Sequence, residues 1–137
     1  MEERISWNEY FARMAKLIAL RSPCNRLHVG CVIVKDKRIV SCGYNGYLPN
    51  SVHESIIEDN HELAITHSEM NCVANACRNG VNLMDSTAYI THYPCIHCFK
   101  ILVASGIKEI IYLEDYRNSP HVETLARHTN VEIKKYS

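Results

Sequence analysis

Residues 92–98 read "HYPCIHC" and place four side chains able to bind a metal, His92, Cys95, His97 and Cys98, within seven positions. Cys95 and Cys98 form C-x-x-C directly after Pro94, at the start of a predicted helix. Residues three apart share a helix face, so both sulfurs can reach one ion. The first turn of a helix is electropositive, which favours thiolates there. His97 points elsewhere on that turn and reads as a surface histidine. Alone, C-x-x-C fits either a redox pair or half of a structural zinc site. A four-cysteine site wants a second close pair. Cys72 and Cys77 are five apart within a predicted helix, on different faces, and read as buried small hydrophobes.

A second segment, "THSEMN" (66–71), carries His67 and Glu69 as H-x-E at the start of another predicted helix. The tripeptide alone is a weak signal. Combined with P-C-x-x-C across the 24 residues between Glu69 and Pro94, it resembles the zinc deaminase signature. The resemblance implies a zinc ion held by His67, Cys95 and Cys98. One imidazole and two thiolates leave a fourth tetrahedral position for water, the arrangement of a catalytic zinc site. Two thiolates also balance the ion's charge. Glu69 is too close to His67 to share its ligand geometry and is placed to reach the water. The implied catalytic role of Glu69 is to take the water's proton and pass it to N3 of a cytosine ring. Attack at C4 then releases ammonia.

These residues need elements to hold them. Ser6 and Glu9 fit a capping box that opens a helix, in which Trp7, Tyr10, Phe11, Met14, Leu17 and Ile18 recur at helical spacing as an apolar face. Two β-rich runs follow, 29–34 and 38–44, with "KDK" as a hairpin turn between them. Residues 45–62 read as loop at both ends. Residues 68–79 read as a helix stopped by Gly80, 86–93 as a strand, 95–105 as a helix ending at Gly106, and 107–113 as a strand. A helix over 119–129, with Pro120 in its first turn, and a strand over 131–136 complete the chain. The order α-β-β-α-β-α-β-α-β predicts a single α/β domain over 1–137. Its mixed sheet carries helices on both faces, and its later strands pair in parallel.

Over nearly its whole length the chain resembles the cytidine/deoxycytidylate deaminase superfamily, and within it the deoxycytidylate (dCMP) deaminase branch. "RSPCNRLHVGCVIVKDKRIVSCGYNG" is similar to that branch's first strands and G-Y-N-G loop. "HSEMN" resembles H-A-E-x-N, with Ser68 in place of alanine, and "YPCIHC…ASGIKEIIY" resembles the second ligand segment and its following strand. The resemblance implies a three-layer α/β/α sandwich around a five-stranded mixed sheet. It implies zinc-dependent hydrolysis of dCMP to dUMP and ammonia. Asn45 is then expected on the sugar, and the backbone around Ser68 and Cys95 on the base edge. Arg26 and Tyr116 are expected near the phosphate, with His28 and Arg117 behind them. It also implies a homo-oligomer, a trimer or hexamer.

Free cytidine deaminases usually have cysteine where this chain has His67. tRNA adenosine deaminases lack G-Y-N-G and tend to be more basic. Deamination of dCTP, cytidine, deoxycytidine or a modified cytosine nucleotide is the near alternative. A non-catalytic zinc or nucleotide-binding module is the distant one, and it has no need of Glu69. After G-Y-N-G, Glu54 and Glu62 stand where relatives carry cysteine. A second zinc would therefore have to use Cys24, His53, Glu54 and His61, which is not the favoured expectation. This loop also puts dCTP/dTTP regulation in doubt.

The bulk composition agrees. In 137 residues, 15 Lys and Arg balance 15 Asp and Glu, so no basic excess points to a polynucleotide partner. A small-molecule nucleotide is the expected partner. Seven cysteines, an odd number, and an opening "MEERISWNEY" without an apolar core favour reduced thiols in the cytoplasm over a secreted disulfide framework. No apolar run reaches the ~20 residues of a membrane span.

Overall fold

The computed structural model describes residues 3–137. Helix α1 spans Trp7–Ala19. The Ser6 hydroxyl caps it by accepting the Glu9 N–H at 3.1 Å. The Glu9 carboxylate pairs with Arg13 one turn on, at 2.8 Å. The buried stripe of α1 differs from the expected one. Phe11, Ala12, Ala15 and Ala19 are buried, while Trp7, Tyr10 and Leu17 are exposed. The reason is close approach: a Cβ on Gly30 would overlap the Ala15 carbonyl oxygen and lie 2.7 Å from the Ala19 nitrogen. Alanines let the helix backbone come this near the sheet, while Phe11, Met14 and Ile18 pack on the core beside them and Trp7, Tyr10 and Leu17 are turned outward.

Strands β1 (Gly30–Lys35) and β2 (Arg38–Tyr44) form the expected hairpin. Asp36 and Lys37 both take positive φ, 52° and 60°, as a two-residue hairpin turn requires. The next segment is more ordered than the sequence suggests. It contains β3 (Gly46–Tyr47), β4 (Ile57–Glu58), β5 (His61–Glu62) and β6 (Ile65–Thr66), where β3 pairs with β6 and β4 with β5. Pairs this short carry no periodicity to read. Then come α2 (Ser68–Arg78), β7 (Thr87–His92), α3 (Ile96–Ala104), β8 (Glu109–Glu114), α4 (Pro120–Thr129) and β9 (Glu132–Lys135).

The main sheet runs β2-β1-β7-β8-β9. β1 is antiparallel to β2 and β7, while β7, β8 and β9 are parallel. Side chains alternate between its faces. Val32, Val34, Tyr89 and Ile111 meet α1 on one side. Cys31, Ile33, Ala88, Ile90 and Ile110 meet residues of α2, α3 and α4 on the other. This is the expected three-layer sandwich with a five-stranded mixed sheet. Cys72 is buried as expected; Cys77, past the sheet-facing stripe of α2, is exposed.

Gly43 sets how closely α2 lies on β2. A Cβ there would come 2.7 Å from the Cys72 nitrogen and 2.8 Å from the Ser68 carbonyl oxygen, both backbone atoms of α2. Gly43→Ala must displace the turn that carries Ser68 and Glu69. We expect a loss of about 1–3 kcal/mol in denaturant unfolding, accompanied by reduced turnover. Unchanged stability would mean that α2 is free to shift.

Candidate active site

His67 is the N-cap of α2 and Cys95 the N-cap of α3. The His67 side chain does not cap its own helix, which leaves the imidazole free to turn towards α3. Its Nδ1 lies 3.3 Å from Cys98 Sγ and 3.6 Å from Cys95 Sγ. All three ligand atoms lie within 4.8 Å of one another, and all seven cysteines are free thiols. A tetrahedral zinc with bonds of ~2.0–2.3 Å wants its ligand atoms roughly 3.5–3.8 Å apart. The donor set and its spacing therefore fit zinc.

The electrostatics agree. A hydrogen bond with Cys98 holds the Cys95 thiol far below its ordinary pKa, at about 3, assisted by His67 and by the Cys98 backbone N–H. The Cys95 thiolate and burial push Cys98 the other way. A thiol that ionises readily beside one held protonated suits a divalent cation, whose binding releases the remaining proton. His67 is pushed up chiefly by its hydrogen bond to Cys95.

Glu69, in the first turn of α2, is 5% exposed. Burial raises its pKa, partly opposed by the Ser68 hydroxyl, which donates to Glu69 Oε1 at 2.6 Å. A cation held in the triad would oppose the rise as well. The Ser68 hydroxyl proton is thus committed to Glu69. His97 is exposed, as expected of a histidine outside the site.

Of the eight residues given a catalytic, zinc-binding or direct substrate role from the sequence, seven line one cavity of about 350 Å³: Arg26, Asn45, His67, Ser68, Glu69, Cys95 and Tyr116. Cys98, the eighth, is fully buried. Asn45 uses half of its amide's bonding capacity on the wall: Oδ1 accepts the Val29 N–H at 2.8 Å and Nδ2 donates one N–H to the Leu27 carbonyl at 2.7 Å. It fixes the wall segment 27–29. Arg26 donates to the Asn60 carbonyl at 2.9 Å and so braces the β4–β5 turn. Tyr116 lies just beyond β8, with the Arg117 guanidinium 5.1 Å above its ring.

Arg117 also lines the cavity, whereas His28 does not. His92 and His61, considered above only as metal-binding side chains, also line it, as does Tyr93, to which the sequence assigns no role. The position of His92 and Tyr93 just before P-C-x-x-C was the one available signal. Among the described residues, His67, Cys95 and Cys98 form the one group of three or more such side chains with ligand atoms this close. Cys24, His53, Glu54 and His61 do not assemble into a second. His53 stacks on Tyr47 with centroids 4.7 Å apart, and Glu62 Oε1 accepts the Ile56 and Ala64 N–H groups.

Residues 5–114 match the family model for the cytidine and deoxycytidylate deaminase zinc-binding region. The chain belongs to this deaminase family. It is 41% identical over 137 residues to ComE operon protein 2 of Bacillus subtilis, covering 97% of this chain and 72% of that protein. It is 31% identical over 144 residues to deoxycytidylate deaminase of Saccharomyces cerevisiae, spanning 98% of this chain but 46% of that enzyme. Among solved structures it is similar to the dCMP deaminase of cyanophage S-TIM5 in complex with dCMP and dUMP. The TM-score is 0.85 at 27% identity, over 98% of this chain and 100% of that one. Among the described residues, no helix of this deaminase is long and apolar enough to cross a membrane.

Proposed function

We propose that this chain hydrolyses dCMP to dUMP and ammonia, as a single deaminase domain with one zinc ion. The observation that carries the reading is the buried Glu69 carboxylate lining one cavity with His67 and Cys95, whose ligand atoms converge with the buried Cys98 sulfur. The likeness to a structure that holds dCMP and dUMP supports the choice of nucleotide.

Zinc in the triad supplies Lewis acidity that makes a water nucleophilic near neutral pH. Glu69 takes one proton of the attacking water and delivers it to N3 as oxygen bonds to C4. It then carries the second proton, from the new C4 hydroxyl, to the amine, so that the C4–N bond breaks, ammonia leaves and the C4 carbonyl of dUMP forms. One carboxyl serves as base and then acid, and a pKa lifted by burial suits both tasks. Backbone groups at the starts of α2 and α3 hold the base edge. Asn45 faces the sugar, and Arg26, Tyr116 and Arg117 meet the phosphate at the mouth. The enzyme acts in the cytoplasm as a homo-oligomer, a trimer or hexamer. The exposed Leu48, Val52, Ile56, Ile57 and Leu63 support self-association through the segment between β3 and β6.

The test compares dCMP with dCTP, cytidine, deoxycytidine and an adenosine-containing RNA by ultraviolet absorbance, using the wild type and Arg26→Ala. Wild type is expected to prefer dCMP. Arg26→Ala is expected to lower kcat/KM for dCMP by about tenfold while leaving deoxycytidine nearly unchanged, as loss of one charged hydrogen bond implies. Equal losses on both substrates would remove Arg26 from the phosphate.

A further inference from the structure

His92 is not a ligand of the triad, yet it lines the same cavity and is bonded on both sides of its ring. The Gly30 N–H donates to Thr91 Oγ1 at 3.1 Å. Thr91 Oγ1 lies 2.8 Å from His92 Nδ1, and His92 Nε2 lies 3.2 Å from Glu114 Oε2. A carboxylate can only accept, so Nε2 carries the ring proton. The neutral ring then accepts at Nδ1 from the Thr91 hydroxyl, whose oxygen already accepts from Gly30. The result is one directed chain: β1 to Thr91 to His92 to the last residue of β8. With both nitrogens engaged, the imidazole has no free atom for a metal or a substrate proton.

The chain instead reaches the turn that follows β8. The His92 ring meets the Tyr116 ring edge to face, with centroids 5.9 Å apart and planes at 77°. Arg117 lies over the other ring of that pair, and its φ of 46° marks a tight left-handed turn. The turn is closed on itself. The Tyr116 N–H donates to Asn118 Oδ1 at 2.8 Å, and Asn118 Nδ2 donates to Asp115 Oδ1 at 2.9 Å. Lys135 of β9 anchors it from outside through Asp115, at 2.8 Å. On the cavity side, His92 is the side chain that touches both Glu114 and Tyr116. Its own side chain is 13% exposed, against 70% for Glu114, so the fixed half of the pair is the histidine.

We propose that His92 is a positioning residue that holds the Tyr116–Arg117 turn at the cavity mouth for binding the nucleotide's phosphate. It acts on substrate through Tyr116 and Arg117 and leaves the reacting atoms to Glu69 and the triad. The proposal rests on the reading that these two residues meet the phosphate.

The experiment measures KM and kcat for dCMP and for deoxycytidine with His92→Ala, His92→Gln and Arg117→Ala, with zinc content determined for each. For His92→Ala we expect KM for dCMP to rise about tenfold, kcat to change less than twofold, and zinc and deoxycytidine kinetics to stay at wild-type values. His92→Gln keeps an N–H for Glu114 and is expected to recover most of the loss; it also serves if the alanine variant folds poorly. Equal losses on nucleotide and nucleoside by both His92 variants, or loss of zinc, would make His92 a general support of the site and overturn the proposal. If Arg117→Ala weakens both substrates equally, the phosphate reading fails and takes the proposal with it. If Arg117→Ala is selective for dCMP and His92→Ala is not, only the role of His92 fails.

Discussion

Glu69→Gln is expected to keep its zinc and to lose dCMP turnover by about 10²–10⁴-fold, the usual contribution of a positioned acid–base group. Glutamine preserves the volume of a buried side chain and still accepts the Ser68 hydroxyl that now bonds Oε1. It cannot take a proton from water or return one to the ring. Metal content should not move, because the three ligand atoms belong to His67, Cys95 and Cys98. Glu69→Ala is expected to lose as much turnover and some stability besides, since it empties a buried position. Steady-state kinetics with zinc quantified per chain reads both effects. Turnover within tenfold of wild type in the glutamine variant would take the proton transfers away from Glu69.

The second large effect is on the metal itself. Cys98→Ala is expected to weaken zinc retention by more than about 100-fold, beyond what changes outside the ligand sphere cause, and to abolish turnover. Cys98 is fully buried, in the first turn of α3, with its sulfur 3.3 Å from His67 Nδ1. Water has no ready path to replace it as a ligand. Its loss also leaves the Cys95 thiolate without the partner that holds its pKa down. Cys77→Ala removes the same atom from an exposed position of α2 and is the control. It should change neither metal nor rate. Full zinc and activity in Cys98→Ala would remove this residue from the site.

The parts of this site that were readable in the sequence are those governed by local geometry. The C-x-x-C spacing at a helix start forces Cys95 and Cys98 together, and His67 and Glu69 occupy the start of a second helix. The sheet was readable because its strands alternate or run apolar between clear turns. Helix α1 shows where spacing alone misleads. Trp7, Tyr10 and Leu17 recur at the right intervals, yet the buried face is made by Phe11 with Ala12, Ala15 and Ala19, because Gly30 lets the helix backbone approach. Residues 45–62 read as loop because the two-residue strands there, and β6 just beyond, exist only through pairing with each other. The outer wall was the least legible. Asn45 was found, but its bonds to the backbone of Leu27 and Val29 depend on a fold that no window of sequence contains. The Thr91–His92–Glu114 chain joins neighbouring strands and left no pattern beyond a histidine near two cysteines.

The central claim is that one imidazole nitrogen and two thiolates grip a single zinc and leave a position for water. Zinc K-edge X-ray absorption on the purified protein measures this directly. The account predicts two sulfur neighbours near ~2.3 Å and two nitrogen or oxygen neighbours near ~2.0–2.1 Å, with one ion per chain. Four sulfur neighbours, a shell of oxygen alone, or a chain that binds no zinc when reduced and supplied with it would contradict the account.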